Sequence, residues 1–147
     1  MRQKTIFALS VFLLSGLLIS GCEDSSCNFY CSSYDAVELM LNDTVELKYS
    51  ELYCNPEHEI RLSIDSISDS RCPIGAVCVW EGSARVKLHV QQYGKSPSTF
   101  WLNTHSSFLT DTVLNGLRYE LIDVLPYPEV DKDYQLDDYT LQLLISD

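Results

Sequence analysis

The sequence predicts an all-β chain: a single antiparallel β-sandwich, Ig-like, of about seven or eight strands, with a small β-barrel as the alternative closure. Three observations carry this. Apolar and polar residues alternate with period two through most of the chain beyond Cys22. Turn-forming residues interrupt the alternation at a spacing of roughly 8–12 residues. No stretch of about eleven residues in this region has a convincing helical periodicity.

The elements follow in order. Val37, Leu39 and Leu41 alternate, as do Val45, Leu47 and Tyr49, with Asn42-Asp43-Thr44 between them. Folding about Asp43 sets Leu41 opposite Val45, Leu39 opposite Leu47 and Val37 opposite Tyr49 on one face. A two-residue turn would oppose Leu39 with Glu46, so the segment reads as a hairpin with a three-residue loop. Ile60, Leu62 and Ile64 alternate with Arg61, Ser63 and Asp65. Val86, Leu88 and Val90 alternate with Arg85, Lys87, His89 and Gln91, the pattern of a half-buried strand. A short strand follows at Phe100–Asn103. Thr112-Val113-Leu114 and Leu117–Leu125 flank Asn115-Gly116, the dipeptide of a type I′ hairpin turn. Leu117–Leu125 is apolar on both faces, as a central strand is. Tyr139, Leu141, Leu143 and Ile145 supply the last strand. There is no internal repeat and no second domain.

The first 22 residues are of another kind. Arg2 and Lys4 precede an apolar stretch from Ile6 to Ile19, which ends in Ile19-Ser20-Gly21-Cys22. Small residues followed at once by Cys, behind a basic start and an apolar run, resemble the lipobox of bacterial lipoproteins. The resemblance implies that 1–21 is a signal peptide, that Cys22 is lipidated, that 22–33 is a tether, and that 34–147 is the sandwich domain. The implied location is the bacterial cell envelope, with the membrane as partner through the N-terminal lipid. Several acyl chains, each buried CH₂ contributing roughly 0.8 kcal/mol, suffice for such anchoring. Glu23 and Asp24 just after Cys22 are similar to the acidic signal of some Bacteroidetes-type surface lipoproteins, which implies the outer membrane or cell surface rather than the inner membrane.

Charge narrows the partners. The chain carries 21 Asp+Glu against 10 Lys+Arg, a net of −11. Loss of Arg2 and Lys4 with the signal peptide leaves eight basic groups against those 21, a net of −13. That balance excludes the basic footprint nucleic acid requires and argues against docking on anionic lipid by charge.

Export places the remaining cysteines, Cys27, Cys31, Cys54, Cys72 and Cys78, where disulfides persist. Cys72 and Cys78 close the shortest loop, and its Pro73 and Gly75 let the chain turn back on itself. The hairpin register, extended, sets Ser32 opposite Cys54, so Cys31–Cys54 is the expected second bond and Cys27 the leftover thiol. Cys27–Cys54 is the competing assignment. Neither a second close pair of ligands for zinc nor a two-residue redox spacing is present.

Two stretches are more particular. One is Asp69-Ser70-Arg71-Cys72-Pro73, then Cys78, Trp80, Gly82 and Ala84; the other is Leu121, Asp123-Val124 and Pro126-Tyr127-Pro128, followed by Asp138-Tyr139-Thr140. Together they resemble a group of small secreted and lipoprotein domains of bacteria, especially Bacteroidetes, that carries D-S-R-C-P-x4-C-x-W-x-G-x-A. The group has no assigned activity, so the resemblance implies location and fold more than function. Glu81 departs from it, standing where Ala is usual, as do Cys27, Cys31 and Cys54. The stretch reads as a stapled corner in which Trp80 packs on the disulfide or the core, Gly82 permits a bulge or turn, and Arg71 pairs with Asp69 or stacks on Trp80. Arg71, Trp80 and Glu81 are alternatively a small recognition patch.

Catalytic signatures are missing. His58, His89 and His105 are scattered, no nucleophile elbow accompanies any serine, and Asp131, Asp133, Asp137 and Asp138 lack the spacing of a calcium loop. No cofactor and no metal is expected. The sequence therefore reads as a non-enzymatic binding or structural accessory of the envelope, whose partner is an envelope protein or a glycan. The alternative is a small inhibitor or recognition module acting through loop aromatics.

Overall fold

The computed structural model describes residue 31 and residues 36–147. Among these, nine strands form two facing sheets: β1 (Ala36–Glu38), β2 (Thr44–Lys48), β3 (Leu52–Asn55), β4 (Ile60–Asp69), β5 (Ala84–Gln92), β6 (Ser98–Asn103), β7 (Asp111–Leu114), β8 (Leu117–Leu125) and β9 (Thr140–Ser146). The five-stranded sheet runs β1-β3-β4-β5-β6 and the four-stranded sheet β2-β9-β8-β7. This is a β-sandwich; the barrel alternative does not hold, because neither sheet closes. A single 3₁₀ turn, Leu136–Asp138, precedes β9.

The period-two alternation becomes the core directly. Leu62, Ile64, Val86, Leu88, Val90 and Leu102 point inward from one sheet, and Leu47, Tyr119, Leu121, Val124, Leu141, Leu143 and Ile145 from the other. Phe100 and Tyr119 meet across the layers with ring centroids 5.4 Å apart. Bulges at Ile64/Ser66 in β4 and at Leu121/Asp123 in β8 shift the register locally. The second explains why Leu117–Leu125 reads as apolar on both faces. Leu121 and Val124 stay inside while Ile122 turns out to solvent. β8 is nonetheless central, between β7 and β9, and the β7–β8 turn has positive φ at both Asn115 and Gly116, as the type I′ geometry requires.

The expected hairpin about Asp43 is not formed. β1 pairs parallel with β3, and β2 pairs antiparallel with β9 in the opposite sheet. Leu39 and Leu47 do share an environment, but they reach one core from two layers. Two alternating runs with a turn between them look the same in sequence whether the turn folds them together or carries the chain across the sandwich. Here Asn42, with φ of 61°, donates its N–H to Ile145 O at 2.7 Å and turns the chain across.

The registers sort the connections by end. The β3–β4, β5–β6 and β7–β8 turns lie at one end and are short. The three long connections, β4–β5, β6–β7 and β8–β9, gather at the other.

Candidate functional site at the stapled end

The β4–β5 connection begins as an extension of its own hairpin. Ser70 N–H donates to Ser83 O at 3.0 Å and Cys72 N–H to Glu81 O at 2.8 Å, beyond the last paired residues Asp69 and Ala84. Gly82 makes this possible: its φ is +74°, and a Cβ there would sit 1.9 Å from Ser70 O. Beyond this neck, Cys72 and Cys78 are bonded, with Cα atoms 5.9 Å apart. Ile74 ties the loop sideways to the β8–β9 connection, its N–H donating to Pro128 O at 2.9 Å and its carbonyl accepting Val130 N–H at 3.1 Å.

Arg71 locks the neck. Its side chain is 5% exposed and binds Asp69, equally buried, through Nη2 at 2.6 Å and Nε at 2.9 Å. Nη2 also donates to Pro126 O at 3.0 Å, Nη1 lies 3.5 Å from Asp123, and the guanidinium sits 4.5 Å from the Tyr127 ring centre. The Asp69 pairing is the one the sequence expects; the aromatic partner is Tyr127, not Trp80.

Trp80 is also not where the stapled-corner reading sets it. It is not in the core, and is 56% exposed. Its ring lies 6.0 Å from His105 and 6.4 Å from Phe108, both in the β6–β7 connection. Val77 and Val79 beside it are fully exposed. The physical reason is the neck: residues 72–81 extend past the end of both sheets, so no core is within reach. The suggested patch thus divides. Arg71 is an internal brace, whereas Trp80 and Glu81 are on the surface.

Glu81 Oε1 meets His105 Nε2 at 2.6 Å, while His105 Nδ1 accepts the Ser107 N–H at 3.0 Å. Both ring nitrogens are engaged, so this imidazole orients Glu81 and its own loop. The pair borders an open recess of about 320 Å³ with Arg71, Asp123 and Tyr127. On the other side of Trp80 a larger groove, about 580 Å³, runs down the outer face of the five-stranded sheet, between Trp80 and Phe108 and past Arg85 and Trp101. Among the described residues no three His, Cys, Asp or Glu side chains are grouped to hold a metal ion. His89 lies on the outer face of β5, and Asp131, Asp133, Asp137 and Asp138 are exposed.

At the opposite end Cys31 and Cys54 are bonded, with Cα atoms 5.6 Å apart. The register argued from the sequence does not produce this pairing, since its hairpin is absent. Cys54 is instead placed by β3, opposite Arg61, where it is buried. Cys22, its proposed lipidation and Cys27 lie outside the described residues.

Burial raises the tyrosine phenols. Tyr119, inside the core, is pushed up to about 12. Tyr53 is raised by burial and by its hydrogen bond to Glu51, and Tyr139 by burial with Asp69 nearby.

Arg85, Trp101, His105, Phe108 and Tyr127 were not legible as members of one region. They come from β5, β6 and two separate loops: strand register brings in Arg85 and Trp101, Trp80 meets His105 and Phe108, and Arg71 meets Tyr127. Comparison of the chain with protein-family models, with curated protein sequences and with solved structures gives no match.

Proposed function

We propose that this chain is a lipid-anchored protein of the bacterial cell envelope, held through Cys22, and a non-enzymatic binding accessory whose contact surface is the stapled end of the sandwich. One observation carries the reading. A disulfide-closed loop holds Val77, Val79 and Trp80 out in solvent, with Phe108 and Leu109 exposed alongside. Exposed apolar groups in a fixed arrangement cost little ordering entropy on binding, which is how a small surface gains affinity.

The test has two parts. Cells expressing the full chain are labelled with an alkyne fatty acid, and label is expected on the wild type and absent from Cys22→Ser. A photo-crosslinking residue is then placed at Val79 and, as a control, at the equally exposed Val113 on β7. A discrete adduct at position 79 and none at 113 is expected. Unlabelled wild type, or adducts independent of position, would overturn the reading. A rigid exposed loop closed by a disulfide also suits the inhibitor alternative; inhibition of an exported protease that is lost on Val79→Asp would favour it.

A further inference from the structure

We infer that the groove between Trp80 and Trp101 binds an acidic carbohydrate, a sugar bearing carboxylate or sulfate; this rests on the binding reading above and names the ligand class. The two tryptophans of the chain both line this one groove. They reach it from different elements, Trp80 from the stapled loop and Trp101 from β6. Indole faces of this kind are the surfaces on which flat, weakly polar C–H faces of sugar rings stack.

The polar complement is laid out by the sheet. Register sets Ser68, Arg85 and Asn103 in one row across β4, β5 and β6, and Ser66, Lys87 and Trp101 in the next. Rows repeat at roughly 6.8 Å and strands at about 4.8 Å, a grid of donors and acceptors on the scale of sugar hydroxyls. The groove volume of about 580 Å³ falls in the range of small-ligand sites, roughly 300–1,000 Å³.

Charge selects an acidic sugar. In a chain with 21 acidic groups, no Asp or Glu is among the groove-lining residues. Its cation, Arg85, forms no ion pair among the described residues and is held instead by Trp101, with the guanidinium 4.7 Å from the ring centre. Stacking fixes the plane of an arginine and leaves its N–H groups for a ligand, and a planar fork matches a carboxylate or sulfate. Lys87, 3.5 Å from Asp65, lies one row further along. At physiological salt a Debye length of about 8 Å screens the acidic remainder of the surface, while Arg85 acts at contact.

The experiment uses the full mature chain and its own tryptophan fluorescence, since both indoles line this groove. Titration with tetragalacturonate and with a sulfated heparin tetrasaccharide separates carboxylate from sulfate, and the methyl ester of the former is the neutral control. A saturable change with at least one acidic oligosaccharide, and binding at least about tenfold weaker for the ester and for Arg85→Gln, is expected. Arg85→Gln retains both tryptophans and changes an exposed side chain. Trp101→Phe, which keeps Trp80 as reporter, is expected to weaken binding as well. No response to either acid, equal binding of acid and ester, undiminished binding by Arg85→Gln, or a response only to phosphatidylglycerol vesicles would overturn the inference. A crosslink at Val79 together with any of these results would leave the binding reading standing and remove only the carbohydrate.

Discussion

Arg71→Met tests how the stapled end is held. The substitution keeps an unbranched apolar stem and removes a guanidinium that is 5% exposed, leaving Asp69, also 5% exposed, without its counter-ion. Breaking a buried ion pair from one side typically costs about 3–5 kcal/mol, because a charge is left uncompensated. Asp69 retains the backbone N–H of residue 71, at 3.0 Å, so the lower end applies, about 3 kcal/mol. For a domain of this size each kcal/mol is roughly 4 °C in melting temperature, which gives a drop of about 12 °C. Urea denaturation followed by far-UV circular dichroism measures the loss directly. In the double variant Asp69→Asn with Arg71→Met the buried charge is gone, and stability is expected to recover by more than 1 kcal/mol relative to Arg71→Met alone. Pro126 O still loses its donor in both. A loss below about 1 kcal/mol for Arg71→Met, or a double variant no more stable than the single one, would refute the brace.

Two further outcomes follow from the same fold. Loop-closure entropy predicts that replacing Cys72 and Cys78 by Ser, which opens a span of six residues, costs about 2.2 kcal/mol, and that replacing Cys31 and Cys54, a span of 23, costs about 3.4 kcal/mol; urea midpoints of the two double variants should fall in that order. Tyr119 is raised to about 12 in the fold against roughly 10 in the unfolded chain. The stability it contributes is therefore complete below pH 10 and is lost as pH rises toward 12, up to about 2.7 kcal/mol. Tyr119→Phe should match the wild type near neutral pH and lose less between pH 8 and 11.5, measured by urea midpoints at each pH.

The strands were legible because one physical quantity, the alternation of apolar side chains, serves both as the sequence signal and as the cause of burial. Val86, Leu88 and Val90 could lie nowhere but inside a sheet, and Asn115-Gly116 could hardly be other than a tight turn. Partner choice was not legible in the same way. The runs around Leu39 and Leu47 satisfy a hairpin and a crossing equally well, and what decides is where β9 lies, a hundred residues further along. Trp80 failed for a related reason. An indole between a disulfide and a strand is usually core, but Gly82 and the Ser70–Ser83 and Cys72–Glu81 bonds prolong the hairpin past the end of the sheets, and only coordinates show how far. His105 and Phe108, which flank Trp80, carry no mark in the sequence because their partner is more than twenty residues upstream.

The two disulfides give the molecule a direction. Cys54 is opposite Arg61 near the start of β4, and the stapled loop leaves the end of that strand at Asp69. Eight residues of strand separate these points, about 26 Å. Cys31 is thus fixed at the end with short turns, and the long connections lie at the other. If the chain is anchored at Cys22, nine residues with a reach of at most about 30 Å join the lipid to Cys31. The stapled loop with Val77, Val79 and Trp80 is then at the end of the sandwich remote from Cys31. The position of the Cys31–Cys54 bond therefore leaves the surface proposed for contact at the end of the sandwich remote from that bond.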